Sequence, residues 1–148
     1  MTRSRVLTIA AGALVAIQLI PLPRTNPPVE SELPAPPEVR AILDRSCMNC
    51  HTHETTWPWY AYVAPVSWLV VYNVHEGRKH LNLSKWGGYT PKRQRKKTRE
   101  MWDEVEDGAM PLPPYLFLHP EAKLSDADKA TLRVWSETRV RELEAVGG

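Results

Sequence analysis

Cys47-Met48-Asn49-Cys50-His51 constrains this chain more than any other stretch. It places two thiols three positions apart with an imidazole directly after the second, which is the spacing of covalent haem attachment. The chemistry asks for that order. Each sulfur adds to a haem vinyl group as a thioether, and the adjacent His51 then lies under the iron as proximal ligand. A thioredoxin-like dithiol shares the Cys-x-x-Cys pair but follows a strand in a βαβ pattern, and no such pattern is visible here. Structural zinc needs two further Cys or His ligands at similar spacing. There is no third cysteine, although His53 and the later histidines leave a mixed site open. The expected cofactor is one haem c, joined through Cys47 and Cys50.

A chain of 148 residues fits one domain with a single hydrophobic core. Arg3, Arg5 and Arg24 precede the first acidic residue, Glu30. With those three set aside, the 19 basic and 17 acidic side chains come close to balance, so nucleic acid is not an expected partner. Both cysteines belong to one motif, and cysteine usage therefore says nothing of compartment.

The N-terminus does speak to location. Arg3 and Arg5 precede an uncharged run from Val6 to Ile20, the basic flank and apolar core of an export signal. Bulky residues and prolines follow it instead of a small-x-small cleavage site, which favours an uncleaved anchor over a removed signal peptide. The expectation is a membrane segment over residues 1–22, in a bacterial inner membrane, with the domain on the periplasmic or another extracytoplasmic side and the arginines inside. Seven of the 14 prolines then gather between Pro21 and Pro37. Residues 23–36 thus read as a semi-rigid extended linker, with the domain proper over 37–148.

Pro36 and Pro37 suit a first helical turn, and Glu38 complements its dipole. Val39, Ile42, Leu43 and Cys47 recur at helical spacing, so one apolar face runs into the haem motif. After His51, Trp57, Trp59, Tyr60 and Tyr62 crowd a segment with Pro58 and three threonines. That composition describes an irregular loop packing rings against something flat and apolar. A haem face would serve, with Trp57 as the contact, and a satellite core cluster would serve as well. Ala64-Pro65 opens a further helix that Gly77 weakens. Arg78, Lys79 and His80 follow, a cationic cluster suited to haem propionates, or else a solvated basic turn.

Thr90-Pro91 is a cap with proline at the first helical position, and Gly108 stands where a C-terminal glycine belongs. Lys92, Arg93, Arg95, Lys96, Lys97 and Arg99 crowd the first half of that helix, against its dipole. Ion pairs from Lys96 to Glu100 and from Arg99 to Asp103 on a solvated face account for them; docking of an acidic redox partner is the alternative. Met110-Pro111 follows the helix end. A thioether sulfur is a soft ligand suited to haem iron opposite a histidine, and Pro111 holds Met110 out of helical geometry. Met110 is the expected sixth ligand, with His80 and His119 as rivals, then His53 and His75. Ser125 and Asp128 form a cap that opens a last helix through Leu132, Trp135 and Leu143.

Cys47 to His51, Glu54-Thr55-Thr56-Trp57-Pro58-Trp59-Tyr60, Ala64-Pro65-Val66-Ser67-Trp68, Glu76 to Asn82, Ser84-Lys85-Trp86, Gly108-Ala109-Met110-Pro111 and His119-Pro120-Glu121-Ala122 together resemble the bacterial haem-binding domain family. The resemblance spans about Asn26 to Arg139. It implies haem c binding by a small c-type cytochrome, often behind one N-terminal membrane segment, and names no redox partner. Class I cytochromes c likewise begin with a helix that delivers the attachment motif and carry a Met-Pro loop after a helix end. No strand pattern of any length appears, so the expected fold is all-α, a cytochrome c-like helical domain behind the membrane segment and linker. One-electron transfer with an unidentified redox partner protein is the leading function. The alternatives are a sensor or peroxidase-like enzyme with an open or labile sixth position, and a module in which haem is structural.

Overall fold

The structure, a computed structural model, describes residues 2–146. Seven α-helices carry the fold, and no β-strand occurs among the described residues. The N-terminal helix α1 (Arg3–Gln18) has no buried residue. It is about 24 Å long at 1.5 Å per residue, short of the roughly 30 Å hydrocarbon core of a bilayer. No described helix is long and apolar enough to cross a membrane. This corrects the expected membrane segment, and with it the inner-membrane location. Ile20-Pro21 stops the helix early, and Gln18 turns back to exchange hydrogen bonds with the backbone of Ala64, accepting at 2.9 Å and donating at 3.2 Å.

The proline-rich segment is extended, as its composition demands, yet it does not stand free. Arg24 donates to the Ala61 carbonyl at 3.2 Å and lies 4.4 Å over the Tyr62 ring. Asn26 donates to the Thr55 carbonyl, and the backbone amides of Glu30 and Ser31 both reach the Ser84 carbonyl at 3.0 Å. Leu33 is buried within the main core.

Helix α2 (Pro37–Ser46) buries Val39, Ile42 and Leu43, the face its periodicity marks out. Each such side chain contributes roughly 1.5–3 kcal/mol when fully removed from water. One residue later the short α3 (Met48–His51) carries the haem motif. Helix α4 (Val66–His80) follows the aromatic loop and runs straight through Gly77. Helix α5 (Pro91–Glu106) starts under Thr90, whose hydroxyl accepts from the Arg93 amide at 3.3 Å. Gly108 closes it with φ of 71°, the left-handed conformation glycine adopts without a Cβ penalty.

A proline-framed strap then leads through α6 (Pro113–Leu118) to α7 (Asp126–Val146). The Ser125 hydroxyl and Asp128 carboxylate cap one another's backbone amides at the start of α7. Helices α5 and α7 form the main helix pair, while α7 also returns against α2. Trp135 of α7 packs on the cluster of Val39, Ile42, Leu43, Leu83, Trp86, Val105 and Leu132. The first and last helices of the domain thus share one core, and α3, α4 and α5 enclose a space beside it.

Candidate haem site

Helix α3 is held by close approach to α4. A Cβ on Gly77 would lie 2.8 Å from the Cys50 carbonyl oxygen, a separation real side chains do not tolerate. Glycine is present because two backbones meet there, a reason unrelated to the helix weakening expected of it. The contact delivers the His51 ring to the free end of α4, where Nδ1 lies 3.0 Å from the carbonyls of both Gly77 and Leu81. Two acceptors fix the tautomer. Nδ1 carries the proton and donates, leaving the Nε2 lone pair available as a ligand. Burial also pushes the His51 pKa down, which keeps the ring neutral, the form that binds metal.

We expect Gly77→Ala to force α3 off α4 and cost about 1–3 kcal/mol, in the range of overpacking substitutions. Thermal unfolding measures it. Gly88→Ala, where an added Cβ meets nothing within 4 Å, is the control and should leave the transition in place.

The two thiols are free of a disulfide. Burial pushes Cys47 up to about 12, with neighbouring Cys50 adding to the rise, and burial raises Cys50 as well. Redox-active dithiols depress a thiol pKa to make a thiolate, so this pair is tuned the opposite way. Among the described residues no group of three His, Cys, Asp or Glu side chains is placed to hold a metal ion.

A cavity of about 650 Å³ opens beside the motif, within the span of small-molecule and cofactor sites. Cys47, Cys50 and His51 form one wall. Asn73, Glu76, Gly77 and His80 come from α4, Lys96, Lys97, Glu100, Met101, Glu104 and Val105 from α5, and Met110, Pro111, Leu112 and Tyr115 from the strap. Ser46 belongs to the same wall as the thiols, and its buried hydroxyl oxygen has no hydrogen-bond partner within the protein. Two thiols, a neutral imidazole with a free Nε2, a thioether and an orphaned hydroxyl around one space fit a haem.

The cavity thus gathers Cys47, Cys50, His51, Met110 and His80, the last with its side chain 74% exposed and 3.6 Å from Glu76. Arg78 is a correction. Its guanidinium is spent on the Thr52 and Thr25 carbonyls, the Asn26 side-chain oxygen and the Thr55 hydroxyl, all at 2.7–2.8 Å. It ties the linker to the loop after His51 and lies off the cavity wall. Trp57 also lies off that wall, with its buried indole N–H unpaired.

His119 is out of reach as well. Its Nδ1–H donates to Glu121 at 2.9 Å, and its Nε2 accepts from the Tyr60 hydroxyl at 2.6 Å. His53 is a core histidine between the Pro28 carbonyl and the Asn82 side chain, and His75 donates to the Pro23 carbonyl.

Sequence reasoning missed Tyr115 and Asn49. The Asn49 amide donates to the Tyr115 hydroxyl at 3.2 Å, pinning the strap to the haem motif. Pro113-Pro114 ahead of an apolar run was a usable signal for the helix that carries Tyr115.

An all-helical domain whose cavity presents two thiols and a neutral imidazole defines a haem-binding protein. The chain matches the family model described as haem-binding domain over residues 12–138, and it belongs to that family. No curated protein and no solved structure matches it.

Proposed function

We propose that this protein is a monohaem c-type cytochrome of cytochrome c-like fold, with haem joined through Cys47 and Cys50, acting in one-electron transfer with a redox partner protein. The observation that carries the reading is His51. Its Nδ1–H is committed to two carbonyls, its Nε2 is free, and both thiols share its cavity with Met110. Bound haem iron supplies a one-electron couple between ferrous and ferric states. His51 orients and donates from one element, and the hydrogen bonds to its far nitrogen raise its basicity. Met110, on the strap, offers a soft sulfur that favours the ferrous state. The order of helices supports the fold: α2 delivers the motif, α7 packs back on α2, and the Met-Pro segment follows a helix end.

A second reading draws on His80. It lines the same cavity beside Glu76, so an acid/base pair borders the space a haem would fill, which supports peroxidase work at an open sixth position. Carbon monoxide decides between the two. A carrier should titrate reversibly with a one-electron slope, and its ferrous form should exclude carbon monoxide. Stoichiometric carbon monoxide binding by the untreated protein would sink the carrier reading in favour of the second.

A further inference from the structure

We propose that Lys96 and Lys97 of α5 hold the propionate carboxylates of haem seated in this cavity, displacing Glu100 from between them. The inference rests on the haem reading and goes further, because it assigns the end of the cofactor that the attachment motif leaves unaddressed. Both lysines line the cavity. Lys97 is the more telling. Its side chain is only 18% exposed, and a lysine that deep needs an anion.

In the structure one carboxylate serves both cations: Glu100 lies 2.6 Å from the Lys97 ammonium and 3.5 Å from that of Lys96. Two positive charges share one negative charge, which leaves room for a second anion at the same place. Three other cations of this helix are engaged elsewhere. Arg95 and Arg99 face Glu144 of α7, and Arg93 lies 4.2 Å over Tyr89.

Sequence position supports the assignment. Helix α5 has no acid in its first turn, and six cations crowd its first nine residues against the macrodipole. An anionic ligand brought to Lys96 and Lys97 offsets that arrangement. Arg78 is committed to the linker, and Lys96 and Lys97 are the Lys or Arg side chains among the described cavity residues.

The test uses the full chain carrying Cys47→Ala and Cys50→Ala, so that binding is reversible, with iron protoporphyrin IX and its dimethyl ester as probes. Lys97→Gln should bind the free-acid porphyrin roughly tenfold more weakly, the loss of one charged hydrogen bond, and the ester unchanged. Lys97→Arg should recover the loss, and Glu100→Gln should bind the free acid more tightly than the parent, because no competing carboxylate has to be displaced.

Equal weakening toward both probes, or toward neither, overturns the proposal. If the chain takes up neither probe, the His51 haem reading is what fails in that assay, and the covalently matured protein then decides the propionate contact. There, Lys97→Gln should lower the midpoint potential, since an uncompensated carboxylate favours ferric iron, and Lys97→Arg should restore it. An unchanged potential refutes the contact.

Discussion

Protein made with a c-type maturation system should keep its haem through full denaturation, and Cys47→Ala with Cys50→Ala should reduce the haem stain of the denatured band to background. Thioether bonds survive denaturant, whereas a haem held by ligation and packing leaves when the cavity opens. Cys47 and Cys50 both line the cavity beside His51, where they would hold a haem by its vinyl groups. Thiol chemistry gives an independent readout. The chain without haem should yield two alkylatable thiols after unfolding, and the matured chain none. In the folded chain lacking haem, alkylation near neutral pH should be slow, because burial keeps both sulfurs protonated, Cys47 up to about 12. If the wild-type stain leaves with the denaturant, covalent attachment is wrong. Haem binding would stand even so, since the family membership does not depend on the thioethers.

The sequence disclosed what depends on local periodicity and failed where contacts join distant residues. The α2 face of Val39, Ile42 and Leu43 was legible because helical spacing states it directly, and the Ser125 and Asp128 cap is local in the same sense. Gly77 was not legible. Its reason is the Cys50 carbonyl, a backbone approach that no residue pattern encodes.

Arg78 shows a related failure. A guanidinium beside Lys79 and His80 looks like a propionate anchor, but charge does not name its acceptor, and Thr25 and Asn26 lie far back in the chain. The α5 lysines divide. Lys96 is solvated and pairs with Glu100 as the helical spacing states, whereas Lys97 is largely buried beside the cavity. At the N-terminus the run from Val6 to Ile20 has the composition of an anchor, but the helix ends at Gln18, before its length reaches a bilayer.

Met110→Ala should abolish the near-infrared sulfur-to-iron charge-transfer band of the ferric protein, lower the midpoint potential and take carbon monoxide binding from none to stoichiometric. Thioether ligation stabilises ferrous iron, and removing it leaves one coordination position open. The strap that carries Met110 is pinned on both sides. The Ala109 and Met110 amides both reach the Glu104 carbonyl at 3.0 Å, Gly108 makes the left-handed turn, and Tyr115 is tied to Asn49 on the far side. His119→Ala should keep the band, because both ring nitrogens are engaged by Tyr60 and Glu121 and His119 lies off the cavity wall. His80→Ala is the sharper comparison, since His80 shares the cavity with Met110. Its side chain is largely in solvent and Glu76 is its neighbour, so the band should survive there also. A wild-type ferric spectrum of the bis-histidine type, lost on His80→Ala and kept on Met110→Ala, would transfer the sixth position to His80. His51 would remain the proximal ligand, because its tautomer is set by the Gly77 and Leu81 carbonyls whatever lies across the iron.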